Sequence, residues 1–331
     1  MAEIVFGLAS SHSPQLSTPS EGWLGRGERD KKNPMLIGTD GIHSNYEDLL
    51  ARADVNRIAK EITAEKMEER HRRNQKGIAK LSEALYNANL DVLVILGDDQ
   101  QEYLQDDNMP VFCIYWGGDV NVPGRGADAS TGNQPLISYN TEDQVVPTHP
   151  ALGLHMIEYL TELEFDIGAS KFLNPDKGGA SRGGIGHAFG YVYHRLMTDK
   201  VIPALPFMVN TYYAPNQPTP KRCYDLGRAI RNAIEAWPVK ARVGVLASGG
   251  LSHFVVDEEI DQWAIEGMKG KSIAKLSNLP RERLNAGSSE IRNWISAAGA
   301  VEHLDMELID YVPCYRSPAG TGCGMGFATW S

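Results

Sequence analysis

Unbroken aliphatic runs alternate along this chain with stretches whose apolar residues recur every three or four positions. Ile4–Leu8 is an apolar run ending in Ser-Ser-His-Ser-Pro, which predicts a buried strand entering a loop. Asp91–Leu96 (DVLVIL) has no polar alternation, the pattern of a strand covered on both faces; it stops at Gly97-Asp98-Asp99. Val111–Trp116, Ile202–Asn210 and Arg242–Ala247 read as further strands. Between them, Glu65–Ala88, Pro150–Leu163, Lys221–Trp237, Asp257–Met268 and Ser289–Ala298 carry helical periodicity, and a helix begins near His187. Glu21–Tyr46 and Gly117–Asn140 are rich in Gly and polar residues and read as long loops, Gly178–Gly186 as a flexible loop, and the C-terminus as a Gly-rich tail. Alternating strands and helices predict an α/β fold, one domain over residues 1–331 with a central mixed sheet flanked by helices.

Composition narrows the function. The chain has 331 residues, 42% of them hydrophobic, enough for a sizeable core. With 32 basic against 42 acidic residues its net charge is −10, which argues against nucleic-acid binding. Cys113, Cys223, Cys314 and Cys323 form no C-x-x-C pair and read as reduced thiols of a cytoplasmic protein. Met1–Leu8 lacks the basic and long apolar segments of a signal peptide, and no apolar stretch has bilayer-spanning length, so no membrane partner is expected.

In open α/β sheets, ligands bind beyond the carboxyl ends of the strands. Here those exits carry His12, Asp98–Glu102, Asn210–Tyr213 and Ser248–His253, a mixture of imidazole, carboxylate and amide groups that suits a metal-assisted site. Each has a plainer reading. His12 in a Ser-rich turn reads by itself as a cap or a solvated residue. Glu258, Glu259 and Glu290 read as acidic first turns of helices. His71, His194 and His303 sit in polar surroundings and read as surface residues, while His149 and His155 read as packing residues.

Five segments taken in order change this picture. They are SHSPQL (Ser11–Leu16), GDDQQEYLQDDNMPVF (Gly97–Phe112), GIGHAFG (Gly184–Gly190), SGGLSHF (Ser248–Phe254) and AGSSEIRNWI (Ala286–Ile295). The series resembles the class III extradiol ring-cleavage dioxygenases of the protocatechuate 4,5-dioxygenase β-subunit type, and is closest to the single-chain relatives that act on gallate and 3-O-methylgallate. The resemblance implies a dimeric non-haem Fe(II) enzyme, a homodimer in this case, with Mn²⁺ as an alternative metal. Its substrates would be a small catechol- or gallate-type aromatic and O₂. By the same resemblance His12 and Glu290 are metal ligands, His253 is the catalytic acid/base and His187 a second active-site histidine. Tyr212 and Tyr213 are candidates to contact the substrate, with aromatic packing as the alternative.

One position departs from the pattern. Relatives carry Asn-Asp-His after the strand, whereas here Gln100 falls at the His position, or Gln101 if the register slips by one. No His lies between His71 and His149. Gln100 would be a weaker ligand than imidazole. Asp98, Asp99 or Glu102 would replace it with a carboxylate oxygen, and His43 would replace it with another imidazole. Three functions stay open: ring opening with a modified ligand set, altered chemistry, or a silent relative that binds a phenolic ligand or a partner chain. The Gly22–Tyr46 and Gly117–Asn140 loops are candidate covers for the site.

Overall fold

A computed structural model describes residues 1–125, 139–174, 176 and 183–331. Along the chain the elements are β1 (Glu3–Ser10), α1 (Trp23–Asp30), β2 (Leu36–Ile37), β3 (His43–Ser44), α2 (Tyr46–Arg52), α3 (Val55–Glu61), α4 (Ala64–Asn87), β4 (Val92–Gly97), β5 (Phe112–Tyr115) and β6 (Val120–Val122). They continue with β7 (Gln144–Val146), α5 (Pro150–Glu162), β8 (Ile167–Ser170), α6 (His187–Arg195), β9 (Ala204–Val209), α7 (Pro220–Ala236), β10 (Arg242–Ser248) and β11 (His253–Val255). The last are α8 (Glu258–Lys269), α9 (Ile273–Ser277), α10 (Ile291–Ala300), β12 (Met306–Tyr315) and β13 (Thr321–Trp330).

The fold is α/β around one mixed sheet, nine-stranded among the described residues. Its centre is four parallel strands in the order β1-β10-β4-β9. On one side β5 pairs antiparallel with β9, and β8 lies parallel outside it. On the other, β13 runs antiparallel to β1 and to β12. The buried run of β4 explains the missing alternation. Val92, Val94 and Leu96 enter one core layer, Leu93 and Ile95 the other, so both faces are covered. Among the described residues no helix is long and apolar enough to cross a membrane.

Three readings of the sequence are corrected. The C-terminal segment is no tail but the hairpin β12–β13, with β13 buried along its whole length. Its glycines hide the strand signal because they alternate with larger residues on one face. A Cβ at Gly324 would stand 2.1 Å from Asp261 Oδ2, and one at Gly326 would stand 2.8 Å from the Trp294 ring. The interleaved Cys323, Met325 and Phe327 pack into the opposite layer. The segment read as a loop over Glu21–Tyr46 contains α1 and the β2–β3 pair. Polar residues on the buried face of α1 concealed it: Trp23, Arg26, Gly27 and Asp30 point inward. His194 is likewise buried, with Nε2 against the Pro123 carbonyl at 3.0 Å. Of the second loop, 117–140, residues 126–138 lie outside the described residues, as do 178–182 of the Gly-rich piece.

The inward face of α1 is held by charge. Asp30 accepts two hydrogen bonds from Arg316, at 2.7 and 2.8 Å, and both residues are buried. Gly27 lets the helix approach, since a Cβ there would meet the Arg316 carbonyl oxygen at 2.1 Å. Breaking a buried pair leaves one charge stranded. Asp30→Asn should therefore lower the unfolding free energy by about 3–5 kcal/mol, read from denaturant midpoints. An unchanged midpoint would show that the pair contributes nothing.

Candidate active site

The carboxyl ends of the parallel strands deliver side chains to one cavity of about 420 Å³, lined by His12, Gln100, Glu102, His187, His253 and Glu290 among others. His12 follows β1, Asp98 and Gln100 follow β4, and Ser248 ends β10. His187 opens α6, and Glu290 sits where a 3₁₀ turn (Ala286–Glu290) passes into α10. His253 opens β11, which pairs with one end of β13 while the other end of β13 pairs with β1. One strand thus brings the two histidine-bearing segments together.

Hydrogen bonds set the orientation of each ring. Ser248 Oγ donates to the Ala188 carbonyl at 2.5 Å and lies 3.1 Å from His12 Nδ1. Its one proton is used, so it accepts from Nδ1–H, and Nε2 of His12 presents its lone pair to the cavity. That Nε2 stands 3.2 Å from Glu290 Oε2 and 3.9 Å from Asp98 Oδ1. His253 donates Nδ1–H to the Leu251 carbonyl at 2.8 Å and faces Glu290 Oε1 with Nε2 at 3.1 Å. The ring is clasped by two glycines: a Cβ at Gly250 would stand 2.4 Å from it, and one at Gly287 2.1 Å. This accounts for the glycines in SGGLSHF and AGSSE.

Burial works against a charged His253, but the adjacent Glu290 carboxylate outweighs it and raises the ring to about 9. For Glu290, burial is likewise outweighed. His253 and His12 hold its carboxyl well below the usual range, and the Gly250 N–H donates to it at 2.5 Å. Asp98 is fully buried and moves the other way, pushed up by burial and then by the charge of Glu290. Gln100 bridges these two acids, its Nε2 donating at 3.2 Å to Asp98 Oδ2 and at 3.2 Å to Glu290 Oε1. His187 is held by Glu102, which accepts from its backbone N–H and, at 2.6 Å, from Nδ1. Burial opposes that charge too, yet Glu102, with Asp98 and Glu290 beyond it, lifts His187 to about 10.

His12, Asp98 and His187 offer donor atoms that all lie within 4.8 Å of one another. A lone-pair nitrogen directed at one carboxylate, beside a second buried carboxylate, fits a cation better than it fits an empty pocket. The donor set therefore suits a divalent metal.

The other anticipated residues are more scattered. Gln101 is turned away to Asp106 at 2.7 Å. His43 is exposed on β3, opposite Ile37, and is not among the residues lining the cavity. Tyr212 and Tyr213 follow β9 with ring centroids 5.5 Å apart; they too fall outside the lining, although Glu290 and Asp98 add to the burial that raises the Tyr212 hydroxyl. Sequence reasoning placed Ser248 at a strand exit but gave it no role, because that role depends on a contact across the sheet. It also passed over Arg26, Arg29 and Asp30, which α1 brings to the cavity wall.

A family model described as the catalytic LigB subunit of aromatic ring-opening dioxygenase matches residues 58–325. The chain belongs to this family. The matched span holds Asp98, Gln100, His187, His253 and Glu290, and His12 precedes it. Among curated proteins, the LigB-family chain is 34% identical over 112 residues to a gallate dioxygenase of Pseudomonas putida, covering 33% of this chain and 30% of that protein. It is 24% identical over 185 residues to a 2,3-dihydroxyphenylpropionate/2,3-dihydroxicinnamic acid 1,2-dioxygenase of Comamonas testosteroni, covering 54% of this chain and 48% of that one. The chain thus matches half or less of the length of either relative.

The His187–Glu102 pair carries a pH signature in the metal-free protein. Raising His187 from 6.5 to about 10 gives stability that is complete below about pH 6.5 and is lost as pH rises through about 10. Glu102 is lowered from 4.5, so its contribution is present above that value and is lost as pH falls. The stability gap between wild type and Glu102→Gln should be widest between about pH 4.5 and 6.5 and narrow on either side. A gap independent of pH would refute the pairing.

Proposed function

We propose that this chain opens the ring of a catechol- or gallate-type aromatic diol with O₂, as an extradiol dioxygenase using a non-haem divalent metal, Fe(II) or alternatively Mn²⁺. The observation that carries the reading is the convergence of His12, His187, His253 and Glu290 on one cavity, with Asp98 buried beside His12 and His187, in a chain of the LigB family. His12 and Glu290 would hold the metal, as their place in the motifs implies. Asp98 would supply the third donor where relatives carry histidine, and Gln100 would remain an amide donor to both acids. A metal bound there would supply chelation of the two diol oxygens and activation of O₂.

The remaining work falls to the protein. His253 cannot release Nδ1–H without losing the Leu251 carbonyl, so Nε2 is the atom that exchanges protons with the substrate. In its neutral form, which a cation drawing on Glu290 would favour, the ring would accept the phenol proton as the diol binds and return it during ring opening. Glu290 keeps that ring basic and oriented. His187, fixed at Nδ1 by Glu102, turns Nε2 to the space beside Asp98, 3.8 Å away, and would hydrogen-bond a substrate oxygen. A second reading makes His187 itself a ligand, because its donor atom belongs to the compact group with His12 and Asp98.

Metal titration separates these sets. His12→Ala, Glu290→Gln and Asp98→Asn should each weaken divalent-metal binding by more than the ~10–100-fold typical of losing an outer support of a ligand. Gln100→His should tighten Fe(II), and His43→Ala should leave it unchanged. Wild-type affinity in Asp98→Asn removes Asp98 from the ligand set, and a large loss in His187→Ala favours the second reading.

Turnover tests the function. Anaerobically prepared, metal-loaded protein should consume O₂ with a gallate-type catechol and yield a coloured ring-opened product. His253→Ala should keep the metal and lose turnover by about 10²–10⁴-fold. Catechol binding with no O₂ uptake would mark the chain as a binding relative.

A further inference from the structure

The hairpin β12–β13 sets two thiols directly opposite each other. Cys314 and Cys323 are partners in its antiparallel register, and both are free. Opposed residues of an antiparallel pair point to one face, and both side chains enter the same core layer. The Arg316 N–H donates to the Thr321 carbonyl across this hairpin at 2.8 Å, while Gly324 turns its N–H to the Ser252 carbonyl at 2.7 Å. By that alternation Cys314 and Cys323 occupy a hydrogen-bonded position, where Cα atoms stand about 5.5 Å apart. A disulfide spans Cα separations of about 4.4–6.8 Å, so the backbone already has the spacing of a bridge. Cβ atoms of opposed residues lie about 4.5–5.5 Å apart, wider than the ~3.8 Å of a relaxed disulfide. A bond formed here is therefore strained and open to reduction.

The two sulfurs differ in access. Cys323 lines the cavity of about 420 Å³, with Ser13 Oγ at 3.3 Å and Arg316 Nη1 donating to its sulfur at 3.7 Å. Cys314 is fully buried and is not among the lining residues. Burial pushes its thiol up to about 12, and the Asn74 amide, donating to the sulfur at 3.3 Å, is the contact that supports a thiolate there. An oxidant entering the cavity thus meets Cys323 first, with Cys314 opposite to resolve it. The other two cysteines offer no second pair: Cys113 stands opposite Gly168 and Met208, and Cys223 lies on α7. Cys323 also stands opposite His253 on β11, and Ser13 follows His12, so a bond at Cys323 would form beside both histidine-bearing segments.

We propose that Cys314 and Cys323 form a reversible dithiol–disulfide site at the wall of this cavity, oxidised by a hydroperoxide. With hydrogen peroxide, the Cys323 sulfur attacks one oxygen and the O–O bond breaks. That oxygen stays on sulfur as a sulfenic acid, and the other takes up the thiol proton and leaves as water. The Cys314 sulfur then attacks Sγ of Cys323, the S–O bond breaks, and the hydroxyl departs as water with the Cys314 proton. Two thiols are oxidised to one disulfide, and one peroxide is reduced to two waters. The site rests on the hairpin register and is independent of the ring-opening reading.

Peptide mapping tests it without turnover. Full-length protein, freed of metal so that none consumes peroxide, is treated with one equivalent of hydrogen peroxide, alkylated in denaturant with iodoacetamide and cleaved with trypsin. Cleavage after Arg292 and Arg316 separates the two cysteines, so the bond should appear as residues 293–316 joined to 317–331, two hydrogens lighter than their sum. Cys113 and Cys223 should be recovered alkylated. Excess reduced glutathione, added before alkylation, should return Cys314 and Cys323 to the alkylated form. Cys314→Ser should stop at the sulfenic acid of Cys323, captured by a 1,3-dione, and Cys323→Ser should leave Cys314 alkylated. Oxidised wild type in which both thiols still alkylate, or in which Cys323 reaches the sulfonic acid while Cys314 stays free, overturns the pairing. A joined species that glutathione does not open overturns its reversibility.

Discussion

Asp98 and Glu290 are two carboxylates buried at the carboxyl edge of one sheet, and neither forms an ion pair with a lysine or arginine among the described residues. Much of the surrounding structure follows from that constraint. Buried acids need donors, and here they receive them from the Gly250 N–H, the Gln100 and Asn293 amides and the imidazole of His253. The donors in turn need fixed backbones. Ser248 locks His12 to the Ala188 carbonyl, and the Leu251 carbonyl locks His253. An arrangement that concentrates like charge at the floor of a cavity is poorly suited to an empty core and well suited to a cation.

The sheet makes this concentration possible because its strands end together. Four parallel strands present their carboxyl ends to one side, and β13 holds the antiparallel edge in register with them. The alternating glycines of β13 are the space into which Trp294 and Asp261 fit. Trp294 donates to the Gly249 carbonyl at 2.8 Å, and Asp261 accepts from Ser252, so the loop carrying His253 is pinned from both sides. Packing of the last strand and placement of His253 are therefore one structural event.

Membership of the LigB family and the glutamine at position 100 are compatible on physical grounds. A neutral amide in place of imidazole gives up a nitrogen donor, but its N–H groups bridge two carboxylates that would otherwise repel each other. Asp98 is thereby held next to His12, where a donor is wanted. On the proposed reading the change redistributes the coordinating atoms around the same cavity, and His253 and His187 keep their places in its lining.

The sequence by itself determined the elements whose burial is uniform or strictly periodic. β4, β10, α4 and α7 are legible because every position reports which layer it faces. His12, His187, His253 and Glu290 were legible as a set through their motifs, not through spacing. Tertiary structure decided what depends on contacts across the sheet. α1 was invisible because its buried face is mostly arginine, glycine and aspartate, and the partner that holds Asp30 and receives Gly27 is Arg316, 286 positions after Asp30. β13 was invisible because its glycines are explained by Trp294 and Asp261. The tautomer of His12 and the bridge made by Gln100 belong to the same class. Periodicity records the one face a residue turns to its neighbours in the chain, and a partner hundreds of residues away leaves no periodic trace.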